Sequence, residues 1–321
     1  MRPQVPTYGG GVTYTSPLLH LSGAVEADAP DVGVASHYGN PVAEQRRLEA
    51  GTGWVDLSHR DVVHIAGPDR LAYLHAMTTQ FFEGLSAGVS TDALVLSPQG
   101  HVEHAFSGRD DGSAFIAHTE PGAGGALAEF LARMRFLMRV EVSVLTSSLA
   151  VVYRPGSGHV MIDRSLLDSL VHEHGAPSGL WAYEALRIAG GRPRVGLDTD
   201  HRTIPNEIGL PGVHLDKGCY RGQETVARVH TLGRPPRRLT MLLLDGSADR
   251  LPERGAAVTV EGRSAGVMGT SSRHHELGPI GLALVKRNVP VELTLDVEGI
   301  PAAQETVVDP EVGLHVRPVL R

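Results

Sequence analysis

The sequence predicts an α+β protein built of antiparallel sheets with helices, followed by a small C-terminal antiparallel β-barrel. Strand and helix patterns alternate as far as about residue 204, whereas after Pro235-Pro236 short strands follow one another with turn residues and no helical period. A chain of 321 residues is long enough for two or three domains. We expect an irregular leader at 1–45, a first α+β domain at 46–140 plus 205–235, a second at 141–204 and the barrel at 236–321.

The first α+β domain is expected to open with a strand, a turn and a helix. Residues 61–66 read as a strand, Gly67-Pro68-Asp69 has the composition of a turn, and the next helix carries Leu71 and Leu74 on one face. Turn chemistry at 97–100 predicts a hairpin. The other elements predicted in this domain are strands at 93–96, 101–106 and 114–117 and a helix near 126–136.

The second domain is expected to contain three short strands and one helix, at 140–144, 149–153, 159–162 and 178–189. Trp181, Ala185 and Ile188 form the apolar stripe of that helix. In the barrel we expect about five to seven strands, with a hairpin turn at Glu261-Gly262-Arg263. The predicted barrel strands lie at 239–244, 258–260, 266–268, 280–285 and 291–297.

Composition restricts the classes of partner. A formal net charge of −7 disfavours general nucleic-acid binding, which depends on clustered cations. No apolar run approaches the length of a bilayer span, so no membrane partner is expected. The first six residues lack the apolar core of a signal peptide, and we interpret the protein as cytoplasmic.

The most informative segment surrounds Cys219, the only cysteine in the sequence. One cysteine forms no internal disulfide and supplies no complete zinc or iron–sulfur ligand set, so no metal site is predicted. A thiol reacts as its thiolate, and we expect the cations of Lys217 and Arg221 to stabilise that anion. Gly218 and Gly222 leave room for a close approach of the backbone.

The segment 217–238 is strongly basic. It contains six basic residues against one acidic residue, Glu224. This excess predicts attraction of an anionic small ligand or an acidic partner, and the alternative is an exposed basic loop with no partner.

The run Lys217-Gly218-Cys219-Tyr220-Arg221-Gly222-Gln223-Glu224 resembles the K-G-C-Y-x-G-Q-E signature of the YgfZ family, folate-binding relatives of the glycine-cleavage T-protein. The resemblance continues through 225–230, and it extends back to 183–188 and 205–207. It implies a three-domain ring around a cavity that holds tetrahydrofolate, possibly polyglutamylated, and a role in the maturation or repair of iron–sulfur proteins.

The same resemblance implies roles for individual residues. Cys219 would be the working thiol, assisted by Lys217 and Arg221. Arg187 and Arg228 would bind the carboxylates of the folate tail, and Glu207 would accept hydrogen bonds from the pterin. The full set of residues assigned to folate in this way is Tyr183, Arg187, Glu207, Tyr220, Gln223, Glu224 and Arg228. For Arg187, Glu207 and Arg228 a purely structural role is an equal alternative.

Two positions depart from the T-protein pattern. Its paired aspartates are matched here by Glu103-His104, and its glutamate after L-R-L is matched by Ala189. The preferred hypothesis is therefore a folate-binding accessory factor for iron–sulfur client proteins. The alternative is a folate-dependent aminomethyltransferase or demethylase acting on a small amine, with Glu103 or His104 as base or orienting group. A third hypothesis is an interaction platform that needs no ligand.

Overall fold

The computed structural model describes residues 14–314, which divide into two compact units. Unit 1 contains the described residues up to Tyr73 together with Phe82–Thr91 and Phe106–Leu180, and unit 2 contains Leu74–Phe81, Asp92–Ala105 and the described residues from Trp181 onward. The beginning of the predicted leader and the end of the predicted barrel domain, residues 1–13 and 315–321, lie outside the described residues.

Unit 1 carries most of a five-stranded sheet with the order β5-β6-β7-β4-β8. Its strands are β4 Asp61–Ala66, β5 Ser90–Leu96, β6 Val102–Asp110, β7 Ala114–Thr119 and β8 Glu141–Val144. Helices α2 Arg70–Met77 and α3 Gly124–Met134 follow β4 and β7 along the chain. The carboxylate of Asp61 accepts a hydrogen bond from the N–H of Gly124 at 2.8 Å and so fixes the start of α3. The predicted strands, hairpin and helices of this region are confirmed.

A smaller sheet of unit 1 has the order β10-β9-β3. Its elements are β3 Val55–Asp56, β9 Leu149–Arg154 and β10 Gly158–Asp163, and helix α4 Leu167–His174 follows β10 along the chain. Trp54, Val152 and Leu170 belong to one buried cluster. Because burial of such side chains is worth about 1.5–3 kcal/mol each, the cluster fixes the helix on the sheet.

Residues 14–49 are more regular than the irregular leader expected from the sequence. They form strands β1 Ala24–Glu26 and β2 Ala35–Tyr38 and helix α1 Pro41–Glu49. Asn40 caps α1 by accepting from the N–H of Ala43, and the buried carboxylate of Glu44 accepts from the N–H groups of Tyr38 and Asn40. The two strands have only three and four residues, too few to give a readable period in the sequence.

Unit 2 contains a closed six-stranded antiparallel barrel, which confirms the predicted barrel. Its strands are β11 Arg237–Leu244, β12 Ala257–Val260, β13 Arg263–His274, β14 Gly278–Lys286, β15 Leu295–Val297 and β16 Ile300–Thr306. Leu242, Val258 and Ile300 are members of its apolar core. Strand β16 was absent from the prediction, because its proline and polar residues hide the alternation of buried Ile300 and Ala302.

Besides the barrel, unit 2 contains helix α6 Gln223–Leu232 and nearly all of helix α5 Leu180–Ala189. Ile188 of α5 belongs to a buried cluster with Leu239 and Leu282 of the barrel. Helix α6 begins directly after the cysteine segment and was not predicted from the sequence. Among the described residues, no helix combines the length and apolar character that a bilayer crossing requires.

Candidate functional site

The cysteine loop, residues 217–222, lies against the turn that joins β5 and β6. Gly222 precedes α6 with φ +81°, and an added Cβ would stand 2.5 Å from the carbonyl oxygen of Ser97. Thr225 donates a hydrogen bond to the carbonyl of Gln99 at 2.9 Å. The close approach that Gly222 allows is therefore made to the protein's own backbone, and any larger residue would push the loop away from the turn.

Lys217 anchors the start of the cysteine loop. Its side chain is buried, and its ammonium donates to three carbonyls at the end of α2: that of His75, that of Thr78 at 2.6 Å and that of Gln80 at 3.0 Å. A cation at a helix C-terminus is favourable because the last carbonyls lack helical partners. Three donors matched by three carbonyls make Lys217 an anchor of the loop, a role that the sequence did not reveal.

Tyr220 anchors the loop on the far side of the cysteine. It is buried in a cluster with Leu94, Leu96 and Val226, and burial raises the pKa of its hydroxyl to about 12. The ammonium of Lys217 lies 5.2 Å from the centre of its ring. Tyr220 thus contributes a buried neutral phenol to the packing beneath the loop.

Cys219 itself is exposed, with open space around the neighbouring Gly218. The loop thus presents an accessible sulfur between two buried side chains, Lys217 and Tyr220. Accessibility and a fixed backbone are both required of a working thiol.

Arg221 brings the cysteine loop to the pair Glu103-His104. Its guanidinium lies 3.1 Å from the carboxylate of Glu103, in a half-exposed ion pair. The imidazole of His104 is partly buried, and desolvation lowers its pKa, with Glu103 opposing and Arg221 reinforcing that shift. Near neutral pH His104 is therefore a neutral imidazole, which can accept a proton.

The first turns of α6 carry three of the predicted folate residues. Gln223 is partly exposed, whereas Glu224 and Arg228 are exposed. Glu224 and Arg228 are four residues apart and share a helix face. Within the described residues, Arg228 has neither an ion pair nor a side-chain hydrogen bond.

Arg187 occupies a different environment from the one predicted for it. Its side chain is 3 % exposed, and its five N–H donors bind Glu184, Asp198, the Arg192 carbonyl and Thr270. No donor remains for a folate carboxylate, so the geometry corresponds to the structural alternative. Tyr183, on the same helix, is buried as well.

Glu207 is also engaged within the protein. It is 1 % exposed, and its carboxylate accepts from Arg237 Nε at 2.8 Å and Nη2 at 2.9 Å, in a bidentate pair. A further contact reaches its own turn through the N–H of Ile204. Arg237 also binds Asp200 at 2.6 Å. With its acceptor sites occupied in this way, Glu207 fixes the segment before the cysteine loop.

Three of the six basic residues predicted to give an excess of positive charge over 217–238 are paired with acids in the structure. Arg221 pairs with Glu103, Arg234 with Glu311 and Arg237 with Glu207 and Asp200. Arg238 is fully buried and donates to backbone carbonyls and to Gln304. A count of charges along the sequence overestimated the local field because the partner acids lie far away in sequence.

One group near the cysteine loop escaped the sequence analysis. The ring of Phe81 lies 5.0 Å from that of His75 and 5.3 Å from that of His214. Phe81 is 40 % exposed, and its neighbours His75 and Gln80 carry carbonyls that bind Lys217. The three rings come from two segments that are far apart in the sequence, so no local sequence pattern predicts that they lie together.

Comparison with known proteins assigns the fold. A crystal structure of the glycine cleavage system aminomethyltransferase T from Bartonella henselae matches 91% of this chain and 95% of that chain with a TM-score of 0.76 at 17% sequence identity. The chain has the T-protein fold. The closed barrel and the antiparallel sheets with helices described above are the elements of that fold in this chain.

The relatives found by sequence match smaller parts of this chain than the crystal structure does. A putative chloroplastic transferase of Arabidopsis thaliana, At1g60990, is 26% identical over 309 residues, which cover 79% of this chain and 70% of that protein. The tRNA-modifying protein YgfZ of Escherichia coli is 33% identical over 138 residues, 42% of this chain and 40% of YgfZ. No family model matches the chain. The resemblance to YgfZ is thus confirmed over part of a chain with the T-protein fold.

Proposed function

We propose that this protein is a tetrahydrofolate-binding accessory factor that uses the thiol of Cys219 in the assembly or repair of iron–sulfur proteins. The observation that carries the proposal is an exposed sulfur on a loop held at both ends by buried side chains. The T-protein fold and the partial similarity to YgfZ support the folate part.

The proposed ligand-binding residues are fewer than those named from sequence. Arg187 and Glu207 are committed to internal ion pairs, whereas Gln223, Glu224 and Arg228 are at least partly exposed on α6. We assign Arg228 to the carboxylates of the folate tail, because its guanidinium has no acid partner among the described residues. Arg237 and Lys217 do not bind the ligand in this proposal. They fix the backbone around the loop through their internal contacts.

Calorimetric titration with mono- and polyglutamylated tetrahydrofolate tests the folate part. Arg228→Ala is compared with Arg133→Ala, an exposed arginine of α3 in unit 1. We expect the polyglutamate to bind more tightly than the monoglutamate, and Arg228→Ala alone to abolish the difference. Affinity that is indifferent to tail length, or equal loss in both variants, contradicts the assignment.

Complementation tests the thiol part. In cells that lack the protein, Cys219→Ser should fail to restore iron–sulfur enzyme activities although the variant accumulates to the normal level. Full restoration by Cys219→Ser would show that the thiol is not needed, and the protein would then act only as a scaffold.

A second candidate, folate-dependent one-carbon transfer from a small amine, is favoured by one observation. Glu103 and the neutral imidazole of His104 lie beside the cysteine loop, at the positions where the T-protein pattern has acids. A neutral imidazole there can take the proton that the folate N5 loses when it attacks an aminomethyl carbon and ammonia leaves. The purified protein would then form methylenetetrahydrofolate from an aminomethyl donor, whose carbon is already at the oxidation level of formaldehyde, and His104→Ala would abolish this while leaving folate affinity unchanged. No product from any amine donor rejects this candidate.

A further inference from the structure

The turn that joins α3 to β8 in unit 1, residues 135–138, carries two apolar side chains at its end. The N–H of Met138 donates to the carbonyl of Arg135 at 2.9 Å, which closes a tight turn with Phe136 and Leu137 at its two central positions. Phe136 is 88 % exposed and Leu137 is 84 % exposed, more than any other large hydrophobic side chain among the described residues. Exposed apolar groups that stand together, rather than singly, are typical of interaction sites. We call this segment the apolar turn.

The backbone of the apolar turn is held in place although it is strained. Phe136 has φ +47°, a left-handed conformation in which glycine, asparagine and aspartate are usual and a bulky aromatic residue is rare. On one side of the turn the guanidinium of Arg135 donates to the carbonyl of Val140 at 3.0 Å. On the other side the carboxylate of Asp69 accepts from the N–H of Arg139 at 2.8 Å. These contacts fix the base of the turn, so its two apolar side chains are preorganised for binding.

Arginine side chains flank the apolar turn. Arg133, in the last turn of α3, and Arg135 are both exposed, and within residues 14–314 neither has an acid at ion-pair distance. Arg139 is already paired with an acid. Of the exposed acids nearby in sequence, Glu129 lies one helical turn further back on α3 and Glu141 begins β8. Two guanidiniums beside the exposed side chains therefore remain available to an anionic partner.

We infer that the apolar turn binds an anionic phospholipid surface. Phe136 and Leu137 insert at the boundary between headgroups and acyl chains, and the two flanking guanidiniums bind the lipid phosphates. A lipid layer accepts protruding side chains of any outline, whereas a protein partner would need a pocket shaped for both. Two inserted side chains give weak and reversible binding, comparable to that of a single acyl chain.

The charge of the whole protein affects this contact less than the local charge does. The formal net charge of −7 opposes approach to an anionic surface, but salt screens charges that lie further away than about 8 Å. A peripheral contact needs no spanning segment, so it is compatible with a sequence that has no apolar run of bilayer length. The apolar turn shares no residue with the cysteine loop, so the inference is independent of the proposed folate function.

Co-sedimentation of the full-length protein with vesicles at low salt tests the inference. The probes are vesicles of phosphatidylcholine alone and vesicles of equal parts phosphatidylcholine and phosphatidylglycerol. We expect the wild type to bind the anionic vesicles, and Phe136→Asn combined with Leu137→Ser to lower its partition coefficient at least about tenfold. Asparagine tolerates the left-handed backbone, so this double variant keeps the turn and should be no less stable to urea than the wild type.

Matched variants separate the apolar and the electrostatic parts of the contact. Leu166→Ser, at a half-exposed leucine directly before α4 in unit 1, should leave vesicle binding unchanged. Arg133→Gln should weaken binding to the anionic vesicles about fivefold and leave binding to phosphatidylcholine unchanged. Arg46→Gln, at an exposed position on α1, should change neither.

Three results would overturn the inference. The first is a wild-type protein that stays in the supernatant with anionic vesicles at low salt, which would leave the apolar turn to a pocket of a protein partner. The second is equal vesicle binding by the wild type and the double variant of the turn. The third is a loss of binding in Leu166→Ser as large as in that double variant, since the turn would then have no special part in the contact.

Discussion

The cysteine loop and the Arg187 network show two opposite uses of charged residues within one unit. At the loop, Lys217 and Tyr220 are buried and Cys219 between them is exposed. In the network, Arg187 is surrounded by Glu184 and Asp198 and withdrawn from solvent. Lys217 and Arg187 both use all of their N–H donors inside the protein, so what distinguishes the loop is the exposed sulfur between its two buried anchors.

Of the substitutions that test this comparison, the one at Arg187 is expected to cause the largest loss of stability. Desolvation lowers its pKa and the carboxylates of Glu184 and Asp198 raise it, with a net rise. Arg187→Leu leaves the buried carboxylate of Asp198 without its cation and should cost about 3–5 kcal/mol of unfolding free energy. Arg228→Leu, at an exposed helix position, should cost less than about 0.5 kcal/mol in the same urea titrations. Equal losses of unfolding free energy in the two variants would show that the buried network does not stabilise the protein more than an exposed arginine does.

The second-largest loss of stability is expected for a substitution of Lys217. Lys217→Met strands the carbonyls of Thr78 and Gln80 and should cost about 2–3 kcal/mol. The sequence contains one other lysine, Lys286, whose exposed ammonium donates to the Ser264 carbonyl. Lys286→Met is the matched control and should cost under about 1 kcal/mol. A small effect at Lys217 in urea unfolding would mean that the ammonium does not anchor the loop.

Unit 1 offers a contrast to the fully paired Arg187, since His118 is buried and neither of its ring nitrogens has a hydrogen-bond partner among residues 14–314. Desolvation, with a contribution from Arg60, lowers its pKa to about 3. The unfolded chain takes up a proton near pH 6.5 while the folded protein does not, so stability falls as the pH drops from about 6.5 towards 3.

This contribution of His118 amounts to about 2 kcal/mol between pH 7 and pH 5. His118→Phe should remove it, which urea titrations at several pH values would detect. His64→Phe, at a partly exposed position on β4, is the control. An identical pH profile for wild type and His118→Phe would contradict the buried neutral state.

The smallest effect on stability is expected at Cys219. Because its side chain is exposed, Cys219→Ser should change the free energy of unfolding by less than about 0.5 kcal/mol. A thiol reagent should label Cys219 in the native protein as completely as in denaturant. A native protein that reacts only after unfolding would contradict the accessible loop.

Much of the architecture was readable from local patterns. Strand β4, the β5–β6 hairpin, helix α5 and the barrel were all predicted, because their periods and turns are local properties. Strand β16 and helices α1, α4 and α6 were missed. Helix α6 has a weak apolar pattern, with Val226 as its only buried residue, so its position depends on the contacts of the cysteine loop.

The site was readable in part. The sequence singled out Cys219 and the pair Glu103-His104, and the structure gives the thiol an exposed position and links the pair to the loop through Arg221. It did not distinguish Arg187 and Glu207, with their internal partners, from exposed Arg228. Their partners Asp198, Thr270 and Arg237 lie 11 to 83 residues away, and no spacing rule joins them.

The sequence by itself determined the class of elements, the terminal barrel and the identity of the one thiol, since these follow from residue type and short-range periodicity. Only the tertiary structure decided which charges are available to a ligand. A guanidinium or carboxylate acts on a ligand only with the donors or acceptors that its neighbours leave unused, and in this protein those neighbours are brought together by folding.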